Sequence, residues 1–228
     1  MWQQGQEVVY GPERWRLLSL KREAALKLME VLSRLSPYVY GSVARGDVRP
    51  ESDIDVVVLG AAAPFMVEVA LESAGLRVFS KEIVQATPNY VPKAYLYLDP
   101  EGLTTVSFPL GRAGPRELEF YRWGGMLDVE GVRAGNRVPG VNKELKLIVP
   151  TQRGHVEYPV VGHEAEVARV LGVSIGIVEE RVRVLSRRRE VGRTGTFIKL
   201  EVPPDEPLEE AVRDLARRNE FFRRAVGL

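Results

Sequence analysis

Apolar residues in the first part of the chain recur at helical spacing. Leu18, Ala25, Leu28, Met29, Leu32 and Leu35 lie three, four or seven apart, which predicts an amphipathic helix from Pro12 to about Leu35, stopped by Pro37. Tyr38 to Tyr40 then reads as a short strand. Gly41 to Glu51 reads as a loop containing about one helical turn, and Asp53 to Leu59 as a strand that is apolar apart from its two aspartates. A helix from Pro64 to Ala74 is bracketed by Pro in its first turn and by Gly75 just past its end. A further strand is expected around Leu76 to Phe79. Tyr95 to Leu98 and Thr104 to Phe108 flank Asp99-Pro100-Glu101-Gly102, a turn-forming run, and read as a β-hairpin.

The pattern changes beyond Gly111 to Pro115. Glu117 to Pro159 is Gly-rich, with short β-like runs such as Leu145 to Val149, and reads as a connecting β element. Glu164 to Leu171 is expected to be helical. Gly172-Val173 makes a tight turn, and Ser174 is placed to cap a second helix, Ile175 to Arg189. Val191 to Val202 reads as a hairpin around Arg193-Thr194-Gly195, and a last helix runs from Leu208 to Ala225. The expected fold class is α+β: a mixed-sheet domain over residues 1–112, the connecting element over 113–160, and a smaller α/β module over 161–228.

Composition narrows the function classes. With 45% hydrophobic and 28% charged residues the chain is globular. Its longest apolar run is broken by Gly60 and Pro64 and falls short of the ~20 residues of a membrane span. Met1-Trp2-Gln3-Gln4-Gly5 lacks the basic-then-apolar layout of a signal peptide. There are no cysteines, hence no disulfide and no thiolate metal site, and a cytoplasmic setting is expected. His155 and His163 are expected to be structural or surface residues. Net charge is +1, so any nucleic-acid binding must come from a local patch. Ser174 to Lys199 supplies one, with seven Lys/Arg against three Glu.

The chemistry concentrates between Gly41 and Asp55. Asp53 and Asp55 are two apart on the predicted strand, so both carboxylates leave one face while Ile54 and Val56 point to the other. Two neighbouring carboxylates are best tolerated with a cation between them, and an oxygen-only ligand set suits Mg²⁺ (or Mn²⁺) held together with substrate phosphates. Gly41 lets the backbone approach a phosphate closely, and the Ser42 hydroxyl with the following N–H groups can donate to phosphate oxygens. Arg45 either adds charge to that site or forms an ion pair with Asp47 or Glu51.

Gly41-Ser42-Val43-Ala44-Arg45-Gly46, followed after five residues by Ser52-Asp53-Ile54-Asp55, resembles the signature of the DNA polymerase beta-type nucleotidyltransferase superfamily. The order helix, strand, Gly-Ser loop, Asp-x-Asp strand, helix extends the likeness to about Leu110. The resemblance implies the nucleotidyltransferase fold for residues 1–112. It also implies a nucleoside triphosphate as donor, Mg²⁺ as cofactor, Asp53 and Asp55 as catalytic metal ligands, and Gly41, Ser42 and Arg45 as nucleotide-binding residues. The superfamily usually carries a third carboxylate on a later strand. The natural candidate, Thr104 to Phe108, contains no Asp or Glu.

The last third resembles a winged helix, as found in small archaeal nucleotidyltransferases with a C-terminal module. Ala168, Gly172 and Val178 occupy the small, turn and packed positions of a helix-turn-helix, and Val191 to Val202 would be the wing. Arg183, Arg187 and Arg193 are the candidate contacts to DNA or RNA phosphates, while Glu179 and Glu180 oppose them. The expected function is transfer of a nucleoside monophosphate to a hydroxyl on a nucleic acid, with a protein acceptor also open. The rival reading is a catalytically inactive nucleotide- or nucleic-acid-binding regulator.

Overall fold

A computed structural model describes residues 5–60, 62–192 and 195–228. β1 (Gln6–Val9) precedes α1 (Pro12–Val31), and a 3-10 turn at Ser33–Leu35 leads into β2 (Pro37–Tyr40). α2 (Ser42–Arg45) is a single turn, β3 (Ile54–Val58) follows it, and α3 (Pro64–Ser73) comes next. Then come β4 (Ser80–Gln85), β5 (Lys93–Tyr97), β6 (Thr104–Pro109), α4 (Pro115–Gly124), β7 (Met126–Leu127) and α5 (Val129–Arg133). β8 (Gly140–Val141), β9 (Lys146–Thr151) and β10 (Gly154–Pro159) precede α6 (Glu164–Leu171) and α7 (Ile175–Val191). β11 (Ile198–Val202), α8 (Leu208–Arg218) and α9 (Glu220–Val226) end the chain. Contacts divide it into two compact units, each built from three separate stretches. One comprises Met1–Leu26, Val39–Ser52 and Gly114–Thr194, the other Lys27–Tyr38, Asp53–Ala113 and Gly195–Leu228.

The second of these units is organised by strands in the order β11-β4-β5-β6-β3. β3 runs parallel to β6, while β4, β5, β6 and β11 pair antiparallel, so the sheet is mixed. Because strand side chains alternate faces, Ile54, Val56, Ala94, Leu96, Val106, Phe108 and Ile83 share one face, and all are buried. Val67 and Leu71 of α3 and Leu208, Ala211 and Val212 of α8 are buried too, and α3 packs on α8. Lys81 lies among these apolar residues, buried, its Nζ donating to Glu68 Oε1 at 2.6 Å and to the Glu206 carbonyl at 2.8 Å. That explains why β4 escaped the apolar-run reading, which expected a strand at Leu76 to Phe79. Two of the inward positions of β4 are Lys81 and Gln85, whose polar ends find partners only in the folded chain.

In the other unit the order is β1-β10-β9-β8, all antiparallel. Its core combines Trp123 with Val141, Leu145, Leu147 and Val160, and with Val167, Ala168, Ile177, Val178 and Leu185 of α6 and α7. His155 is buried on β10, with Nδ1 2.5 Å from the Tyr10 hydroxyl and Nε2 3.2 Å from Glu157 Oε1. The stretch expected as a β connector contains two helices besides its strands. α4 opens with Pro115, and the Glu117 carboxylate accepts from the Gly114 N–H at 2.9 Å. α5 is capped by Asp128, which accepts from the Gly131 N–H at 2.7 Å. Both starts carry local signals, but the Gly-rich composition around them reads as loop and strand, and α5 is only five residues long.

The C-terminal expectations divide. α6, the left-handed turn at Gly172 (φ 63°) and α7 form as read, and the Ser174 side chain accepts from the Ile177 N–H. Of the hairpin expected from Val191 to Val202, the turn residues Arg193 and Thr194 lie outside the described residues, and among the described residues its two arms do not pair with each other. Val191 ends α7, and β11 pairs instead with β4, Ile198 facing Gln85 and Val202 facing Lys81. A strand with one long neighbour already in register gains more ladder hydrogen bonds there than in a short hairpin. The last expected helix is interrupted at Asn219, whose backbone is extended and whose side chain accepts from the Phe222 N–H at 3.0 Å, so α9 starts afresh.

Candidate functional site

The Gly-Ser turn belongs to the unit with α6 and α7. Gly41 sits at φ 80°, ψ −145°, a conformation essentially reserved for glycine, and its N–H donates to the Gly125 carbonyl at 2.9 Å. A Cβ built there meets no atom within 4 Å, so the space beside the turn is open to a ligand. Ser42 is half-buried and starts α2, whose next residues Val43, Ala44 and Arg45 are buried. The first N–H groups of a helical turn have no acceptor within it. The turn therefore presents donors of the kind a phosphate requires.

Two buried arginines fix this turn. Arg45 makes the ion pair that the sequence left open: Nε and Nη2 donate to Asp47 Oδ1 and Oδ2 at 2.9 and 3.0 Å. Its Nη1 donates to the Gly124 carbonyl at 2.6 Å. These bonds use its guanidinium as a clamp on the loop. Arg22, on α1, donates from Nε to the Val43 carbonyl and from Nη2 to the Ala44 carbonyl, each at 3.1 Å. Burial, followed by the neighbouring Arg137, lowers the Arg22 pKa to about 10. The far end of the loop is held by Lys21 Nζ on the Ser52 carbonyl at 2.6 Å and by the Ser52 hydroxyl, which accepts from the Arg49 N–H at 2.9 Å. Sequence reasoning missed Arg22. The signal was an arginine within the buried stripe, four residues beyond Leu18 and three before Ala25.

Asp53 and Asp55 belong to the unit with β3. Asp53 directly precedes the strand and Asp55 is its second residue; both are half-buried, while Ile54 and Val56 between and beyond them are buried. Asp55 alternates with the buried Ile54 and Val56 as the spacing predicts, and Asp53, just ahead of the strand, is half-buried like it. The parallel register sets Thr105 of β6 beside Asp55, and the antiparallel register sets Tyr97 of β5 beside Thr105. One strand step along, Ser107, Tyr95 and Glu82 line up across β6, β5 and β4. The Tyr97 hydroxyl donates to Glu82 Oε2 at 3.1 Å, and Lys199 Nζ lies 3.0 Å from Glu82 Oε1. Burial, then the charges of Asp55 and Glu82, push the Tyr95 phenol up to about 12. Tyr97 is pushed up as well, by burial first and Glu82 next. Both phenols are neutral at physiological pH, and the Tyr97 hydroxyl acts as a donor.

The strand expected to carry a third carboxylate holds Thr105 there instead. Among the described residues no group of three or more His, Asp and Glu is poised to hold a metal. Asp99 is a turn residue, its carboxylate accepting from the Leu103 and Thr104 N–H groups at 2.7 Å each. A pair of carboxylates still fits one Mg²⁺, which takes one or two of them and fills its shell with water and substrate phosphate oxygens.

On α7, Arg183 and Arg187 are exposed, four residues apart and opposite the buried Ile177, Val178 and Leu185. Arg181 turns inward, its guanidinium 4.9 Å from the centre of the Phe120 ring. Glu180 lies 3.9 Å from Arg116. Arg193 lies outside the described residues. No helix among the described residues is long and apolar enough to cross a membrane.

Residues 23–107, running from α1 through β6, fit the nucleotidyltransferase domain family. No curated protein and no solved structure matches the chain.

Proposed function

From a nucleotidyltransferase domain at residues 23–107, we propose that the chain moves a nucleoside monophosphate from a nucleoside triphosphate to a hydroxyl on a nucleic-acid acceptor. Asp53 and Asp55 would hold Mg²⁺ or Mn²⁺, and the Gly41-Ser42 turn would take the triphosphate. The observation that carries the reading is a pair of half-buried aspartates, one just ahead of β3 and one within it, separated by a buried residue. Acids are costly inside an apolar strand and persist where a ligand offsets them. Bound metal supplies charge neutralisation at the transferred phosphoryl group and lowers the pKa of the attacking hydroxyl.

The chain's own residues do the rest. Donors of the turn at Ser42 hold phosphate oxygens in place, and Arg22 and Arg45 keep that turn rigid. The acceptor oxygen bonds to the α-phosphorus as the bond from that phosphorus to the bridging oxygen breaks, and pyrophosphate leaves. The acceptor's proton passes to water, since β6 offers no carboxylate beside Asp55. Arg183 and Arg187, with Arg193, would steer DNA or RNA phosphates to the helix pair, which on this reading docks nucleic acid as a helix-turn-helix without the expected wing.

The double variant Asp53→Asn with Asp55→Asn is expected to keep its fold and lose metal-linked triphosphate affinity by calorimetry. It is also expected to lose transfer of labelled nucleotide from ATP, CTP, GTP or UTP to host RNA or DNA. Unchanged metal-linked affinity would sink the assignment, and label appearing on protein instead would move the acceptor class. Thr105 beside Asp55 favours a second reading, a nucleotide-binding regulator without turnover. That reading predicts triphosphate binding with no transfer to any acceptor.

A further inference from the structure

The face of the sheet that carries Asp55 does not end at β6. By strand alternation the same face carries Tyr97, Tyr95 and Lys93 of β5, Glu82 of β4, and Lys199 of β11. Phe197 comes two residues before Lys199, its N–H donating to the Ala86 carbonyl at 3.2 Å. At this end of β11, Phe197 meets Phe221 of α9 edge to face, with ring centroids 6.0 Å apart and planes at 90°. Both rings face solvent, 39% and 54% exposed. Two adjacent aromatic rings left in water have no role in the core, where Phe222 is fully buried beside them in sequence.

Charge says what would cover them. α8 and α9 together carry five arginines and four acids; the arginines gather toward α9, where Arg217 pairs with Asp214 at 3.1 Å. Arg224 lies one helical turn beyond Phe221 and pairs with Glu220, while Arg218 and Arg223 are exposed. Exposed aromatic rings flanked by arginines favour a chain of phosphates with unstacked bases, because every base offers a π-face to a ring and a phosphate to a cation. A duplex offers its phosphates but keeps its bases stacked inside. An apolar protein surface would use the rings and leave the exposed Arg218 and Arg223 facing no acid of its own.

We propose that Phe197 and Phe221, with the arginines of α8 and α9, form a stacking platform for single-stranded nucleic acid. The inference rests on the nucleotidyl-transfer reading in one respect: the bound strand would be the acceptor. Four inter-strand steps and about six residues along the strands separate Phe197 from Asp55. That distance is on the order of 25 Å within one sheet, short enough for a single strand to bridge.

The test is fluorescence anisotropy of labelled oligo-dT and oligo-U, with the full chain, no metal and no triphosphate, at low and moderate salt. The double variant Phe197→Ala with Phe221→Ala is expected to bind single strands at least about tenfold more weakly. Phe197→Leu with Phe221→Leu keeps the apolar contact and loses the ring, so it should weaken binding as well. Retained metal-linked triphosphate affinity in each variant shows that the fold and the aspartate site are intact. If the Ala variant fails to fold, the Leu variant and Arg218→Ala with Arg224→Ala carry the test. Absence of single-strand binding by the unmodified chain overturns the platform. So does single-strand affinity unchanged by loss of the rings, and the assignment of Asp53 and Asp55 is left standing in each case. Loss of triphosphate binding in the aspartate variants, with oligonucleotide affinity unchanged, separates failure of one site from failure of the other.

Discussion

Thr105 occupies the position beside Asp55 on the parallel neighbour strand, where a carboxylate would complete the pair. It is 5% exposed, so a new charge there costs stability, yet it would face the metal site. Thr105→Asp is expected to raise kcat about a hundredfold, the lower range of what a positioned base contributes, and to lower the melting temperature. Single-turnover transfer with saturating triphosphate checks this; unchanged or reduced turnover in a folded variant would mean that the acid is not what limits the rate. Arg22 acts on the other motif. Its guanidinium satisfies two carbonyls of α2 from a buried position, and Arg22→Met leaves both without that donor. The expected loss is about 2–3 kcal/mol in chemical unfolding, with triphosphate affinity falling alongside. A variant of normal stability would show that water replaces the clamp.

At the scale of elements, α7 carries the testable charge. Arg183 and Arg187 share an exposed face four residues apart. If both touch phosphates, Arg183→Ala with Arg187→Ala should flatten the log–log salt dependence of duplex binding by about two units, with little effect on sequence preference. An unchanged slope would make the helix pair a packing or protein-binding module. The helix pair itself was legible in the sequence because its signals are local: apolar spacing, a glycine at the left-handed turn, and Ser174 as the cap. The wing was not legible. Whether Ile198–Val202 folds back on α7 or joins β4 depends on a strand more than a hundred residues earlier, which no local pattern encodes. β4 itself was displaced in the reading because Lys81 and Gln85 mask its period-two burial.

The stability of the whole chain should depend on pH through His155. Burial lowers its pKa, against the opposing pull of Glu157, so the folded protein holds the ring neutral while the unfolded chain protonates near pH 6.5. The unfolded state then binds more protons below that pH. Stability from this group is present in full above about pH 6.5 and is lost as the pH falls toward the folded pKa. Thermal melts from pH 8 to pH 5 are expected to show the decline, and His155→Gln to lessen it. An equal slope in that variant would assign the decline to other groups. The ring bridges Tyr10 and Glu157, and β1 pairs with β10 in the register Gln6 to Glu157. The pH effect therefore reports on closure of the chain's first strand onto its middle.

The sequence by itself determined the Gly41-Ser42 and Asp53-Ile54-Asp55 motif, the alternation of Asp55 with buried Ile54 and Val56, the helices α1, α3, α6 and α7, and the β5–β6 hairpin closed by Asp99. All of these rest on interactions within a few residues: alternation along a strand, helical spacing, proline and glycine at helix ends, and a side chain capping the backbone beside it. The tertiary structure alone decided that Arg45 is held by Asp47 and Gly124, that Arg22 and Lys81 are buried with partners, that Thr105 stands beside Asp55, and that β11 extends the sheet next to β4. Burial of a charged group depends on whether distant residues supply its hydrogen bonds, and register depends on which faces two remote segments must bury together. Neither quantity is set by the residues on either side.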